Sequence, residues 1–103
     1  MQGVIAMRII ARKTLVDYWI KHPTAKAPLE AWFREVKTAQ WQSPDDIKRR
    51  YPSASFLADN RVCFNIAGNN YRLIVKINYN FSIVYIRFIG THAAYNKINA
   101  EAV

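Results

Sequence analysis

The chain has 103 residues and a hydrophobic content of 51%, which is enough for one compact domain with one core. Fifteen lysines and arginines against seven acidic residues give a net charge of +8, which favours a polyanionic partner, a membrane surface or an acidic protein. The single cysteine excludes an intramolecular disulfide, the apolar runs are too short to span a bilayer, and the N-terminal stretch does not have the pattern of a signal peptide.

The positive charge is concentrated in the second half of the chain. Residues 1–47 contain seven basic and five acidic residues, whereas residues 48–97 contain eight basic residues and a single acid, Asp59. Cys63 lies in the apolar-rich run "RVCFNI", which predicts a buried thiol without a catalytic role. Because a free buried cysteine fits a reducing compartment, we expect a cytoplasmic protein that does not associate with membranes.

The first half of the chain predicts one strand and three helices. The run 4–11, rich in β-branched residues, is typical of a strand, and apolar residues at helical spacing follow in 11–23 and 26–41. The clearest helical stripe, with the spacing i, i+3, i+4, i+7, consists of Leu29, Trp32, Phe33 and Val36. A third helix is expected to begin after Ser43 as its N-cap and to end before Pro52.

The second half predicts an antiparallel meander that is closed by a short helix. Strands are expected at 61–66, 71–78 and 83–91, with turns at "AGNN" and "YNF" between them. The segment 91–100 predicts a helix with Thr91 as its N-cap. These elements indicate one α+β domain over residues 1–103. Met1 and Met7 are alternative starts, and the second would leave residues 1–6 as an N-terminal extension.

Side-chain alternation divides the predicted sheet into an apolar face and a face that carries cations. The apolar face, expected to pack on the helices, includes Val62, Phe64, Leu73, Val75, Val84, Ile86 and Phe88. The opposite face, called the open face below, carries Arg61, Asn65, Arg72, Lys76 and Arg87, with Ile89 among its apolar neighbours. The pattern places no acid there. Because unpaired buried cations are costly and like charges on adjacent strands repel, this face is either solvated or holds an anion such as phosphate.

Metal-free cleavage of RNA is a reaction that such a surface can support. The basic half lacks clustered carboxylates, and the chain lacks P-loop, dinucleotide and zinc motifs, which disfavours metal-dependent hydrolysis and ATP-dependent phosphotransfer. In metal-free cleavage the 2′-hydroxyl attacks the neighbouring phosphate, and the protein orients it, moves two protons and stabilises the developing charge. His92 and Tyr95, one helical turn apart, are candidates for proton transfer, with local capping and core packing as the alternatives.

Two stretches, "RVCFNIAGNNYRLIVKI" and "VYIRFIGTHAAYNKI", resemble the HigB family of bacterial toxins within the RelE/ParE superfamily. The resemblance covers about Met7 to Ala100 and is sharpest from Arg61 onward. It implies two N-terminal helices against a twisted, mainly antiparallel sheet. It also implies the toxin of a type II toxin–antitoxin system, an mRNA endoribonuclease that cleaves transcripts on translating ribosomes. We expect no metal and no other cofactor.

The resemblance also implies partners and residue roles. The implied partners are mRNA, the rRNA of the ribosome, and a HigA-type helix-turn-helix antitoxin, through which operator DNA is contacted indirectly. Arg72 and Arg87 match the phosphate-holding arginines of the superfamily, and His92 and Tyr95 match its "TH..Y" motif. We expect the arginines to stabilise the transition state, and His92 and Tyr95 to share the proton transfer and the orientation of the 2′-hydroxyl. The residues expected to hold flanking RNA are Arg49, Arg50, Arg61 and Lys76.

Several alternatives stay open at this point. RelE-type toxins use lysines before the equivalent second strand, where this chain has "FLADNR", so the identity of the general base is not determined. A ParE-like toxin would poison a DNA-handling enzyme without nuclease activity, but that mode needs no proton-transfer pair. A non-catalytic RNA-binding module would expose stacking aromatics. Trp19, Trp32 and Trp41 are expected in the core, with contact to the antitoxin as the alternative.

Overall fold

A five-stranded sheet and the helices packed against it make up residues 6–103, the part of the chain that the structure, a computed structural model, describes. The strands are β1 (Arg8–Ile10), β2 (Ser55–Leu57), β3 (Arg61–Ile66), β4 (Tyr71–Asn78) and β5 (Ile83–Thr91). The helices are α1 (Arg12–Lys21), α2 (Lys26–Thr38), α3 (Pro44–Arg50) and α4 (His92–Tyr95), with a 3-10 turn at Pro23–Ala25. The strand order is β1-β5-β4-β3-β2, in which β1 runs parallel to β5 and the other neighbours are antiparallel. The predicted α+β class is confirmed.

The predicted boundaries hold best in the second half of the chain. β3, β4 and β5 begin and end at the predicted residues, and the Ala94 N–H donates to Thr91 Oγ1 at 3.1 Å, which confirms the N-cap. α4 is shorter than predicted, because only His92–Tyr95 is α-helical. β2, which pairs with β3 at the edge of the sheet, was not predicted as a separate strand.

The N-terminal predictions reach beyond the described residues. The strand predicted at 4–11 is observed as Arg8–Ile10, while residues 4 and 5 and most of the predicted extension 1–6 lie outside the described part. The single domain over residues 1–103 stays a prediction for the same reason. None of the helices in residues 6–103 has the length and hydropathy needed to cross a membrane.

The core lies between the sheet and the first two helices. α1 contributes Leu15 and Trp19 and α2 contributes Leu29, Trp32 and Val36, and these side chains pack on the apolar face of β3, β4 and β5. The rings of Trp32 and Trp41 lie 5.5 and 5.9 Å from the ring of Phe64. All three tryptophans are buried, as predicted, and Cys63 of β3 is buried as well. Since each large apolar side chain contributes about 1.5–3 kcal/mol on burial, this layer holds the sheet rigidly under the open face.

A β-bulge in β5 changes which side chains reach the open face. Ile86 pairs with Val75 and Phe88 pairs with Ile74, so Arg87 is an extra residue without a partner in β4. Beyond the bulge the alternation is inverted: Phe88 lies on the open face, and Ile89 pairs with Leu73 and packs on the core. The prediction that placed Phe88 on the apolar face and Ile89 on the open face is therefore wrong, because strict alternation cannot include an extra residue.

Candidate active site

Arg72 is held in place by contacts from two neighbouring elements. In the sheet it lies between Asn65 of β3 and Gly90 of β5. One terminal nitrogen of its guanidinium donates a hydrogen bond to Asn65 Oδ1, and its Cζ lies 5.3 Å from the centroid of the Tyr95 ring. This is the distance of a cation–π contact. The Arg72 Nε is buried and forms no hydrogen bond within residues 6–103.

α4 brings His92 next to Tyr95. Thr91 caps the helix, and His92 and Tyr95 follow as its first and last residues. Their ring centroids lie 6.4 Å apart in an edge-to-face arrangement, with His92 exposed and Tyr95 half-buried. Because Tyr95 contacts both Arg72 and His92, the structure brings three of the four predicted catalytic residues into one cluster.

Burial raises the pKa of the two groups in this cluster that can lose a proton, the Tyr95 phenol and the Cys63 thiol. The pKa of Tyr95 is raised above its ordinary value, first by burial and then by the neighbouring Cys63, against the opposing effect of Arg72. Burial likewise raises the pKa of the Cys63 thiol, although Arg72 and Tyr95 act in the other direction. Tyr95 is therefore a neutral phenol at physiological pH, which suits it to donate a hydrogen bond rather than to accept a proton.

Arg87, the fourth predicted catalytic residue, projects from the bulge of β5 and is exposed. Its Nε donates to the main-chain oxygen of Val103 at 3.4 Å, and the Nε of Arg61 donates to the same oxygen at 2.7 Å. Nearby, Glu101 Oε1 accepts a hydrogen bond from the Ala58 N–H at 3.2 Å. Residues 101–103 thus cover part of the open face, which was not predicted.

The open face also holds an acid, contrary to the prediction. Asp59, in the turn before β3, places Oδ2 2.8 Å from the Lys76 ammonium and 3.3 Å from a guanidinium nitrogen of Arg61. Hydrogen bonding to Lys76, together with Arg61, lowers the pKa of Asp59. Arg61 is only 7% exposed, so this pairing and the Val103 oxygen stabilise a charge that would otherwise be costly to bury. The sequence did not predict this pairing because side-chain alternation was considered only within strands, and Asp59 lies in a turn.

The two arginines of α3 are also paired with acids. Arg49 pairs with Asp46, and Arg50 donates to Glu35 of α2 at 2.8 Å. These pairs are solvent-exposed and contribute little to stability, so RNA can compete for both guanidinium groups. Within residues 6–103, Arg72 and Arg87 are the predicted site arginines that form no ion pair with an Asp or Glu side chain. The roles predicted for Arg49, Arg50, Arg61 and Lys76 in RNA binding stay predictions.

Two further residues shape the cluster. Asn65 was noted on the open face without a role, although the hairpin register sets it opposite Arg72 and would have identified the contact. The ring of Phe88 lies over Gly90, where an added Cβ would come within 2.6 Å of Phe88 Cζ. A glycine at position 90 therefore leaves room for this ring beside Arg72.

In residues 6–103, no group of three or more His, Cys, Asp or Glu side chains is close enough to hold a metal ion.

Comparison with known proteins gives consistent matches. The family model described as HigB_toxin, RelE-like toxic component of a toxin-antitoxin system, matches residues 25–98. The mRNA interferase toxin HigB of Escherichia coli (strain K12) is 28% identical over 96 residues, which cover 91% of this chain and 92% of that protein. The same figures apply to the mRNA interferase HigB of Shigella flexneri, and that of Escherichia coli O6:H1 is 26% identical over 94 residues, or 89% and 91% of the two chains. The matched span 25–98 includes every candidate site residue named above.

Proposed function

Since this chain belongs to the HigB toxin family, the RelE-like toxic component of a toxin–antitoxin system, we propose that it is an mRNA endoribonuclease. The relatives that carry the name mRNA interferase HigB match almost the whole chain, which supports this activity. The observation that carries the proposal is the position of Arg72. Its guanidinium contacts Asn65 and Tyr95 and has no carboxylate partner in residues 6–103, and the Tyr95 ring also lies next to His92.

Cleavage proceeds by attack of the substrate's own 2′-hydroxyl. The 2′-oxygen forms a bond to phosphorus, the bond from phosphorus to the 5′-oxygen breaks, and the products are a 2′,3′-cyclic phosphate and a 5′-hydroxyl. One proton leaves the 2′-hydroxyl and one is given to the 5′-oxygen, while Arg72 and Arg87 neutralise charge on the non-bridging oxygens. His92 transfers protons, and Tyr95 orients the attacking group as a hydrogen-bond donor, since its raised pKa keeps the phenol neutral. No metal takes part in these steps.

The remaining cations bind RNA on either side of the reacting phosphate. Arg49, Arg50, Arg61 and Lys76 contact flanking mRNA or rRNA, and the net charge of +8 steers the protein to the ribosome, where cleavage takes place. The antitoxin is of the HigA type, a helix-turn-helix protein that also carries the contact with operator DNA. Toxin and antitoxin meet in the cytoplasm.

Inducible expression of variants tests the activity. Wild type is expected to arrest growth and to create new mRNA 5′ ends inside translated codons, and these ends should require phosphorylation before ligation because they carry a hydroxyl. Arg72→Ala, His92→Ala and Tyr95→Ala should abolish or strongly reduce them. Lys21→Ala, which removes an exposed cation on α1, is the matched control and should cleave like wild type. Arrest with intact mRNA and damaged DNA would favour a ParE-like toxin instead.

The nucleophile is tested separately with ribosomes that translate a defined mRNA. A single 2′-deoxynucleotide is placed on the 5′ side of the mapped bond, so that only the proposed attacking hydroxyl is removed. Cleavage at that bond should be lost, while cleavage at other sites continues. If the bond is still cut and leaves a 5′-phosphate, water is the nucleophile and the proposed mechanism is wrong.

A further inference from the structure

A polar cavity lies on the open face, at the end of β4 far from His92. It has a volume of about 330 Å³, and its walls include three asparagines, two tyrosines and one cation: Asn60, Asn78, Asn80, Tyr79, Tyr85 and Lys76. This volume falls at the lower end of the range for sites that bind small organic molecules. The cavity is separate from the cluster around Arg72 and has no part in the chemistry described above.

The walls of the cavity are fixed by hydrogen bonds and by strand pairing. The Ile77 N–H donates to the Asn60 carbonyl at 2.9 Å, which ties the turn between β2 and β3 to β4. Lys76 and Tyr85 are partners in the register of β4 and β5. The Phe81 N–H donates to Asn78 Oδ1 at 3.1 Å and orders the turn between these two strands. The cavity is therefore preformed by the sheet and its turns.

The chemistry of the walls fits a neutral, planar, polar ligand. Within residues 6–103, no hydrogen bond uses the side-chain amide of Asn60 or Asn80, and the Nδ2 group of Asn78 is likewise free to donate. Each amide can both donate and accept, which suits the edge of a nucleobase, and a tyrosine ring offers a surface for stacking. The one cation, Lys76, has its Nζ 2.8 Å from Asp59, so a phosphate in the cavity would have to compete with this carboxylate. The cavity is thus poorly suited to a phosphate and well suited to a base.

The position of the cavity agrees with a single RNA strand that runs along the sheet. Lys76 follows Arg72 by four residues in β4, a separation of about 13 Å along the strand. Arg87 projects from β5 between the two ends, and Arg61 pairs with Lys76 in the register of β3 and β4, so cations lie along the path beside residues 101–103. We infer that this cavity binds one nucleobase of the RNA at a fixed distance from the scissile phosphate and gives the toxin its base preference. The inference rests on the proposed nuclease function for its biological role, but the binding itself can be measured without cleavage.

Nuclear magnetic resonance tests the site directly. The probes are the four uncharged ribonucleosides and, in parallel, inorganic phosphate, added to isotope-labelled His92→Ala protein. Nucleosides should shift the amide signals of residues 76–80 and 85, with one base bound most tightly, and phosphate should not. Adding Tyr85→Ala should weaken nucleoside binding by roughly 5- to 150-fold, the effect of losing one base–aromatic stack, whereas Tyr85→Phe should retain it. Phe81→Ala, in the same turn but outside the cavity walls, is the matched control.

Each outcome decides the inference. It is overturned if phosphate produces the shifts at 76–80, if nucleosides shift signals only elsewhere, or if Tyr85→Ala binds like the parent protein. Should Tyr85→Ala fail to fold, Asn80→Ala at the exposed turn replaces it, with the same expected loss. If wild type cuts no RNA in cells, the nuclease proposal fails while the nucleoside titration still decides the site. If wild type cuts RNA, Tyr85→Ala should broaden the base composition around the mapped ends, and an unchanged composition would contradict the role in preference.

Discussion

The guanidinium of Arg72 rests on the ring of Tyr95, with 5.3 Å between its Cζ and the ring centroid. This contact links the sheet to α4 and sets the position of a charge that Asn65 holds from the other side. We propose that Tyr95 acts in two ways, with its ring positioning Arg72 and its hydroxyl donating a hydrogen bond to the substrate. The two roles can be separated by substitution.

Graded substitution at Tyr95 should reveal both roles. Tyr95→Phe keeps the ring under Arg72 and loses only the hydroxyl, so we expect a loss of roughly tenfold in the cleavage rate, the effect of losing one hydrogen bond. Tyr95→Ala also releases Arg72, and we expect a loss of roughly 10²–10³-fold, typical of removing a preorganised charge. Single-turnover cleavage of ribosome-bound mRNA measures both. Equal rates for the two variants would show that the ring contact has no effect on catalysis.

Asn65 is expected to position Arg72 through the hydrogen bond to its guanidinium. Asn65→Ala removes this bond, and we expect roughly a tenfold loss in cleavage rate because Arg72 loses its orientation. Asn65→Asp keeps the shape but pairs Arg72 with a full negative charge, so it should reduce both RNA binding and cleavage further than Asn65→Ala does.

Whether Asn65→Ala or Asn65→Asp loses more activity distinguishes a positioning role of Asn65 from a structural one. If Asn65 only fills space, the isosteric Asn65→Asp should be the better tolerated of the two, which is the reverse of our expectation. Asn70→Asp, in the exposed turn that follows β3, adds the same charge at a side chain that does not bond to Arg72 and is the control. Cleavage rates and RNA affinity of the three proteins, at one salt concentration, make the comparison.

Much of the fold and of the site could be predicted from the sequence, because the turn and capping residues lie where the strands and helices of the structure begin and end. The predicted turn "AGNN" contains Gly68, whose backbone is left-handed with φ of 68°, and this turn marks the end of β3 and the start of β4. The Thr91 cap fixed the start of α4 and so the separation of His92 and Tyr95. The grouping of Arg72 with these two rings followed from the resemblance and was found in the structure.

The remaining features depend on tertiary geometry that alternation does not encode. The bulge at Arg87 inverts the faces of Phe88 and Ile89, since one extra residue shifts every later side chain. Asp59 reaches Lys76 from a turn, and residues 101–103 fold back over Arg61 and Arg87. These contacts join residues that are distant in the chain or lie outside regular strands, so the periodic pattern of apolar and polar residues does not predict them.

Asp59 should limit the affinity of the open face for RNA. Asp59→Asn removes the carboxylate that pairs with Lys76 and Arg61 and raises the formal net charge from +8 to +9. We expect tighter binding of a single-stranded 2′-O-methyl oligoribonucleotide and a steeper salt dependence, by about 0.7 in the logarithmic slope for each additional phosphate contact. Asp17→Asn is the matched control, since it makes the same charge change in an exposed pair with Lys13 on α1. If both variants gain affinity equally, overall charge is responsible and the local pairing is not.

The stability of the folded chain should fall in alkaline solution because of its buried phenols. Burial is the main cause that raises the pKa of Tyr18, Tyr51, Tyr79 and Tyr95, and the Glu35 carboxylate adds to the rise at Tyr51. The folded protein therefore holds these protons more tightly than the unfolded chain. The stabilisation is fully present below about pH 10, the ordinary tyrosine value, and is lost as the pH rises from there toward the higher folded values.

Tyr51→Phe offers the sharpest test of this linkage. The Tyr51 hydroxyl is buried near the Glu35 carboxylate but forms no hydrogen bond of ordinary geometry within residues 6–103, so its removal should leave the stability at pH 7 nearly unchanged and should reduce the loss above pH 10. Urea unfolding midpoints at pH 7, 9 and 11 measure both effects, and Tyr85→Phe, a tyrosine outside the hydrophobic core, is the control. A decline with pH in Tyr51→Phe as steep as in wild type would contradict the assignment, because the buried phenol would then not be the group whose ionisation opposes folding.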